Sequence, residues 1–131
     1  MLTNKFDTPI LFIVFNRPDC ADKVFEEIRS IRPKRLFVAA DGPRSNQPGE
    51  KEKCDLVQKI TLRIDWECEL KTLFRESNLG CKKAVSSAID WFFEHVEEGI
   101  ILEDDCLPDL SFFRFCQELL EIYRDDKRQP G

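Results

Sequence analysis

Three acidic residues in a row, Glu103, Asp104 and Asp105, follow the apolar run GIIL and precede CLPDLSFF. Neighbouring carboxylates a few ångströms apart repel by about 4 kcal/mol at an effective dielectric of ~20, so a partly buried set needs a cation or a shifted protonation. Oxygen ligands alone suit a hard ion, Mn²⁺ or Mg²⁺, and such an ion held by one or two carboxylates commonly completes its shell with phosphate oxygens. Three other apolar runs also end in polar groups. Asn16 and Arg17 follow PILFIVF, Asp41 and Gly42 follow RLFVAA, and Arg75 and Glu76 close ELKTLFRE. Taken singly, Asp19, Asp109 or Glu76 reads as a helix cap or a solvated loop residue. The recurrence of polar groups at the ends of all four runs is what makes the set a candidate site.

The elements that position them alternate. PILFIVF (9–15) is an unbroken apolar run, the pattern of a strand covered on both faces. Asp19 is expected to cap a helix with Ala21, Val24, Phe25, Ile28 and Ile31 at helical spacing, ended by Pro33. RLFVAA (35–40) is a second strand, and a lysine- and glutamate-rich helix over 50–64 carries Cys54, Val57, Ile60 and Ile64 as its inner stripe. ELKTLFRE (69–76) is a third strand, and SNLGCKK opens a helix with Ala84, Val85, Ala88, Ile89, Phe92 and Val96 on one face. The fourth strand is GIIL, and Asp109 or Ser111 is expected to cap a last helix with Phe112, Cys116, Leu119, Leu120 and Tyr123 inward. The order β-α-β-α-β-α-β-α predicts an α/β fold, an open, mostly parallel sheet with helices on both faces. Ligands of such sheets bind outside the carboxyl ends of the strands, where the polar groups sit.

The bulk composition narrows the class. The chain has 131 residues, 42% apolar and 34% charged, which reads as one soluble domain spanning 1–131. No stretch approaches the roughly 20 apolar residues of a membrane span, and MLTNKFDTP is no signal peptide, so a cytoplasmic protein is expected. A net charge of −5 argues against a general nucleic-acid binder. The six cysteines include no C-x-x-C pair, so buried reduced thiols are expected rather than a structural zinc. His95 falls in the third helix and takes no role. Neither a P-loop nor G-x-G-x-x-G is present, which leaves ATPase and dinucleotide dehydrogenase readings unsupported.

The ordered pieces PILFIVFNRPD, LFVAADGPR, ESNLGCKKAVSSAIDWFF and GIILEDDCLPDLSFFRF resemble the nucleotide-sugar half of a GT-A glycosyltransferase, a Rossmann-like fold. They are most similar to the N-acetylglucosaminyltransferase I type and to bacterial family-2-like enzymes, over about residues 8 to 124. The resemblance implies a donor domain for a nucleoside-diphosphate sugar, a UDP-sugar by preference, with transfer to the hydroxyl of a glycan or other acceptor. It implies Asp105 as the ligand of Mn²⁺ or Mg²⁺, with Glu103 and Asp104 bonded to the donor's sugar and ribose. Asp41 would read the base, and Asn16 and Arg17 would lie near the nucleotide and diphosphate. Where the N-acetylglucosaminyltransferase I type has a histidine, this chain reads GCKK, which makes Lys82 the counterpart and leaves base and sugar open. The acceptor half and the catalytic base are expected beyond residue 131, and the resemblance leans towards inversion. Two other readings stand beside it: a non-catalytic α/β binding or interaction domain, and, ranked below, a nucleotidyltransferase using paired carboxylates and Mg²⁺.

Overall fold

The computed structural model describes residues 6–105, 113 and 115–122. At its centre β1, Ile10–Val14, is buried at every position. It pairs in parallel with β2, Arg35–Ala40, on one edge and with β4, Ile100–Glu103, on the other, Ile10 lying opposite both Leu36 and Ile100. β3, Glu69–Phe74, extends the sheet beyond β2, giving the order β3-β2-β1-β4 with all strands parallel. Successive side chains of a strand face opposite sides. Ile10, Phe12 and Val14 accordingly enter one core layer, and Leu11 and Ile13 enter the other.

Three helices connect the strands: α1, Pro18–Ile31; α2, Glu50–Thr61; and α3, Cys81–Phe93. Crossovers between parallel strands are right-handed. Two crossovers that advance in one direction, β1 to β2 to β3, therefore lay α1 and α2 on one face, and the return to β4 lays α3 on the other. The core follows that rule: Ala21, Val24, Phe25, Ile28 and Val57 pack with Phe12 and Val38, whereas Ala88 and Phe92 pack with Leu11 and Phe37. The Phe37 and Phe92 rings meet edge to face at 5.0 Å. The fold is thus the α/β, Rossmann-like architecture expected, with Phe113 and residues 115–122 helical after β4.

Local differences from the expected pattern have identifiable causes. Asp19 does not cap α1. Arg17 is the residue before the helix, and Pro18 takes the first helical position, where a missing N–H costs nothing. Asp19 then lies in the first turn, where a negative charge suits the helix dipole. α1 ends at Arg32, whose φ of 50° is left-handed and whose N–H reaches Ile28 O. α2 stops at Thr61 rather than 64, and Ile64 reaches the core from the segment that leads to β3. Val96 is buried just beyond α3, and His95 lies in the turn there with Nδ1 2.9 Å from Trp91 O. β4 runs one residue further than GIIL, so Glu103 is the strand's last residue, opposite Ile13.

In the last helical stretch Phe113 is fully buried and Cys116 packs on the core, but Leu119 is exposed, as are Phe115 and Ile122. The inward stripe drawn through Leu119 is therefore wrong at that position. The expected roles of Phe112, Tyr123, Asp109 and Ser111 lie outside the described residues. Of the described cysteines, all free, Cys54 is buried, Cys20, Cys68 and Cys116 are half-buried, and Cys81 is exposed, so burial does not hold for every thiol. Burial pushes the Cys54 thiol up to about 11. Among the described residues no helix is long and apolar enough to cross a membrane.

Gly99, at the entry to β4, is required by packing. A Cβ there would meet the ring of the fully buried Phe92 and lie 3.0 Å from Pro9 O. Gly99→Ala is expected to destabilise the fold by about 1–3 kcal/mol, the usual cost of overpacking. A urea titration checks this, and an unchanged midpoint would contradict the tight packing of Phe92 on Gly99.

Candidate functional site

Parallel strands bring all four carboxyl ends to one edge, and the strand order reverses between β1 and β4, the place where such sheets open a crevice. A cleft of about 470 Å³ lies there. It is lined by Asn16 and Arg17 after β1, Asp41 after β2, and Glu103, Asp104 and Asp105 at and after β4. Arg44, Asn78, Gly80 and Cys81 complete the polar part of the wall. Lys82, in the first turn of α3, is exposed and does not line the cleft. Arg75 turns to α3 instead, donating to Ser87 Oγ at 2.9 Å. A larger hollow of about 650 Å³ lies beside Asp7, Lys34, Arg35 and Glu69, at the amino ends of the strands. Lys34 and Asp7 already pair there at 2.9 Å, and none of the carboxyl ends of the strands reaches it.

Asp41 is 6% exposed and heavily bonded. Its Oδ1 accepts the N–H groups of Gly42 and Leu79, both at 2.9 Å, and its Oδ2 accepts Asn78 Nδ2 at 3.0 Å. Asn78 Nδ2 also reaches Gly42 O at 3.0 Å. One buried carboxylate thereby fastens the loop after β3 to the end of β2, and a buried charge needs such partners. Gly42 permits the approach: a Cβ there would sit 2.6 Å from the backbone of Ser77. Gly80, with φ of 89°, turns the chain into α3 in a region that suits glycine.

A second buried acid lies behind the cleft. Glu50, the first residue of α2, is 5% exposed. Its Oε1 accepts Arg44 N at 2.8 Å and Arg44 Nε at 3.0 Å, and its Oε2 accepts Arg44 Nη2 at 2.6 Å and Asn16 Nδ2 at 2.9 Å. The Arg44 guanidinium also lies 5.8 Å from the centroid of the Phe15 ring, within cation–π range. The Asn16 amide nitrogen is therefore committed to Glu50. The Arg44 side chain, its backbone N–H and Asn16 hold the Glu50 carboxyl down to about 2, against a smaller upward push from desolvation.

The acidic triplet is not a three-ligand cage. Among the described residues no group of three His, Cys, Asp or Glu is arranged to hold a metal ion. Glu103 and Asp105 are exposed and Asp104 is half-buried. Asp104 Oδ2 is shut off from solvent and has no hydrogen-bond partner among the described residues. Burial pushes the Asp104 carboxyl up, opposed by the Arg17 charge and by backbone hydrogen bonding at Phe15, with the Asp105 charge adding to the rise. An oxygen-only donor set of Asp105 and Asp104 suits a hard divalent ion that takes its remaining ligands from a phosphate or water.

Five residues of the site escaped the sequence reading: Arg44, Asn78, Gly80 and Cys81 of the wall, and Glu50 behind it. Arg44 and Asn78 lie in the quoted strand-end segments DGPR and ESNLG, which is the signal that pointed to them. No protein-family model, curated protein or solved structure matches the chain.

A carboxyl whose folded pKa lies below its unfolded value contributes stability above the unfolded pKa and loses it as pH falls through the folded one. For Glu50 that window runs from 4.5 down to about 2. Glu50→Gln is expected to be less stable than wild type near neutral pH, with the gap closing as pH falls through this window. Urea midpoints of both proteins across it check the sign; a gap independent of pH would show that the ionised bonds are not its source.

Proposed function

We propose that the strand-end cleft binds a nucleoside-diphosphate sugar with Mn²⁺ or Mg²⁺, as the donor site of a glycosyltransferase. The observation that carries this reading is Asp104 Oδ2, a buried carboxylate oxygen without a partner among the described residues, in a cleft shared with Asp105 and Arg17. A buried acceptor left unpaired is costly, and a ligand hydroxyl or a cation relieves it. The likeness of four strand-end segments to GT-A donor domains supports the same assignment.

In this reading Asp105 holds the divalent ion, and Glu103 and Asp104 accept hydroxyls of the sugar and ribose. The ion supplies charge stabilisation to the diphosphate when bound. Arg17, beside Asp104, meets the negative charge that develops on the leaving diphosphate. Asp41 has part of Oδ2 left to accept a base N–H, the rest of its capacity being spent on the loops. Lys82 is the weakest member of the set, because it stands outside the cleft wall. A non-catalytic binding domain is the second reading, favoured by the commitment of Asn16 to the scaffold.

Calorimetry with UDP, with and without Mn²⁺, tests the assignment. Wild type is expected to bind UDP more tightly with Mn²⁺ present, and Asp105→Ala to lose about tenfold or more of that gain, the worth of a charge-assisted contact. A folded wild type that binds no UDP in Mn²⁺ would sink the donor reading. A preference for UTP with release of pyrophosphate would move the protein to the nucleotidyltransferases.

A further inference from the structure

The cleft wall carries four carboxylates, Asp41, Glu103, Asp104 and Asp105, against two guanidinium groups, Arg17 and Arg44. An anionic ligand entering such a wall needs a cation already aimed at it. Arg17 is exposed, and its charge acts on Asp104. Arg44 is placed differently.

Its Nε and Nη2 edge is held by Glu50 at 3.0 and 2.6 Å, its backbone N–H is tied to the same carboxylate at 2.8 Å, and its guanidinium lies 5.8 Å from the Phe15 centroid. A guanidinium has five N–H donors in a planar fork. The pair with Glu50 takes one edge, and Nη1 donates to nothing among the described residues. The side chain is 47% exposed where Glu50 is 5% exposed, so the charge pair has a buried end and an open end, and the open end belongs to a residue of the cleft wall. Neutralising Glu50 requires only one edge of the fork. Holding a long side chain in place beforehand removes an ordering cost that a ligand would otherwise meet on binding.

We infer that Arg44 is a ligand-binding residue of the cleft, its free Nη1 edge binding the oxygens of a diphosphate directly, with Glu50 and Phe15 as its positioning residues. The inference rests on the donor-site reading for the nucleoside part of the ligand, but not for the diphosphate itself. Arginine suits this task because its fork matches a pair of phosphate oxygens, whereas lysine offers a single point charge. Arg44→Lys therefore keeps a cation for buried Glu50 while removing the second edge.

The experiment measures binding of inorganic pyrophosphate and of UDP to wild type, Arg44→Lys and Asp105→Ala, in EDTA and in Mn²⁺, with circular dichroism to show that each variant is folded. Arg44→Lys is expected to weaken pyrophosphate about tenfold or more in Mn²⁺, and by a similar factor in EDTA, because Arg44 acts on the anion and not through the ion. Asp105→Ala is expected to weaken it only in Mn²⁺. Equal pyrophosphate affinity of folded wild type and Arg44→Lys overturns the role of Arg44, even where Mn²⁺-dependent UDP binding upholds the donor site. Pyrophosphate binding that depends on Arg44, with UDP held no better than pyrophosphate, supports Arg44 and removes the nucleotide-sugar reading. Failure of wild type to bind pyrophosphate in Mn²⁺ overturns the inference outright.

Discussion

A strand paired along both edges and covered on both faces has no position from which a polar side chain can reach water, and β1 is such a strand. Its five residues are all apolar and all buried, with β2 and β4 hydrogen-bonded on either side. The first places where its chain can present chemistry are the residues that leave it, Asn16 and Arg17. Because every partner runs parallel to β1, the other strands reach the same edge with the same constraint relaxed. The concentration of polar groups there follows from the burial of the centre, before any ligand is considered.

Polar groups at that edge are of two kinds. Some close the scaffold. Asp41 gathers Gly42, Asn78 and Leu79, while Glu50 gathers Asn16 and Arg44, so that two buried carboxylates brace the loops after β1, β2 and β3. Each carboxylate would be costly alone in the interior and is tolerable because nearby donors occupy most of its oxygens. Arg63, just after α2, also pairs with Asp22 of α1, but on an exposed surface where such a pair is worth little. The internal braces matter more because they hold the wall of the cleft at fixed geometry.

Much of this was legible in the chain. The Arg35–Ala40 strand, the stripe Ala21, Val24, Phe25 and Ile28, and the convergence of Asn16, Arg17, Asp41 and Glu103 to Asp105 follow from apolar periodicity and from the rule that parallel strands share an exit edge. What was not legible depends on contacts distant in sequence. Glu50 reads as one more acid of a lysine- and glutamate-rich helix, yet it is buried because α2 starts directly behind the strand ends and meets Asn16, 34 positions away. Asn78 meets Asp41 from 37 positions away. The expected inner face of the last helix holds at Cys116, which packs on the core, but not at Leu119, which is exposed, while Phe113, outside that stripe, is fully buried against Phe6.

Buried Asp41 and half-buried Asp104 differ in how their charge is met within the chain. Asp41 and Asp104 both lie just after strands and both lose solvent, so composition and position treat them alike. Their bonding does not. Both oxygens of Asp41 accept from donors of neighbouring loops, whereas Asp104 keeps an oxygen that is buried and unpaired among the described residues. Folding alone accounts for Asp41: its charge is compensated within the chain. Among the described residues nothing compensates Asp104 Oδ2 in that way, and burial pushes the carboxyl up even with Arg17 nearby. A buried acceptor left without a partner is costly, and Asp105 lies exposed on the same turn. That difference in satisfaction, more than the number of acids in a row, is what sets Asp104 apart from Asp41 at this edge.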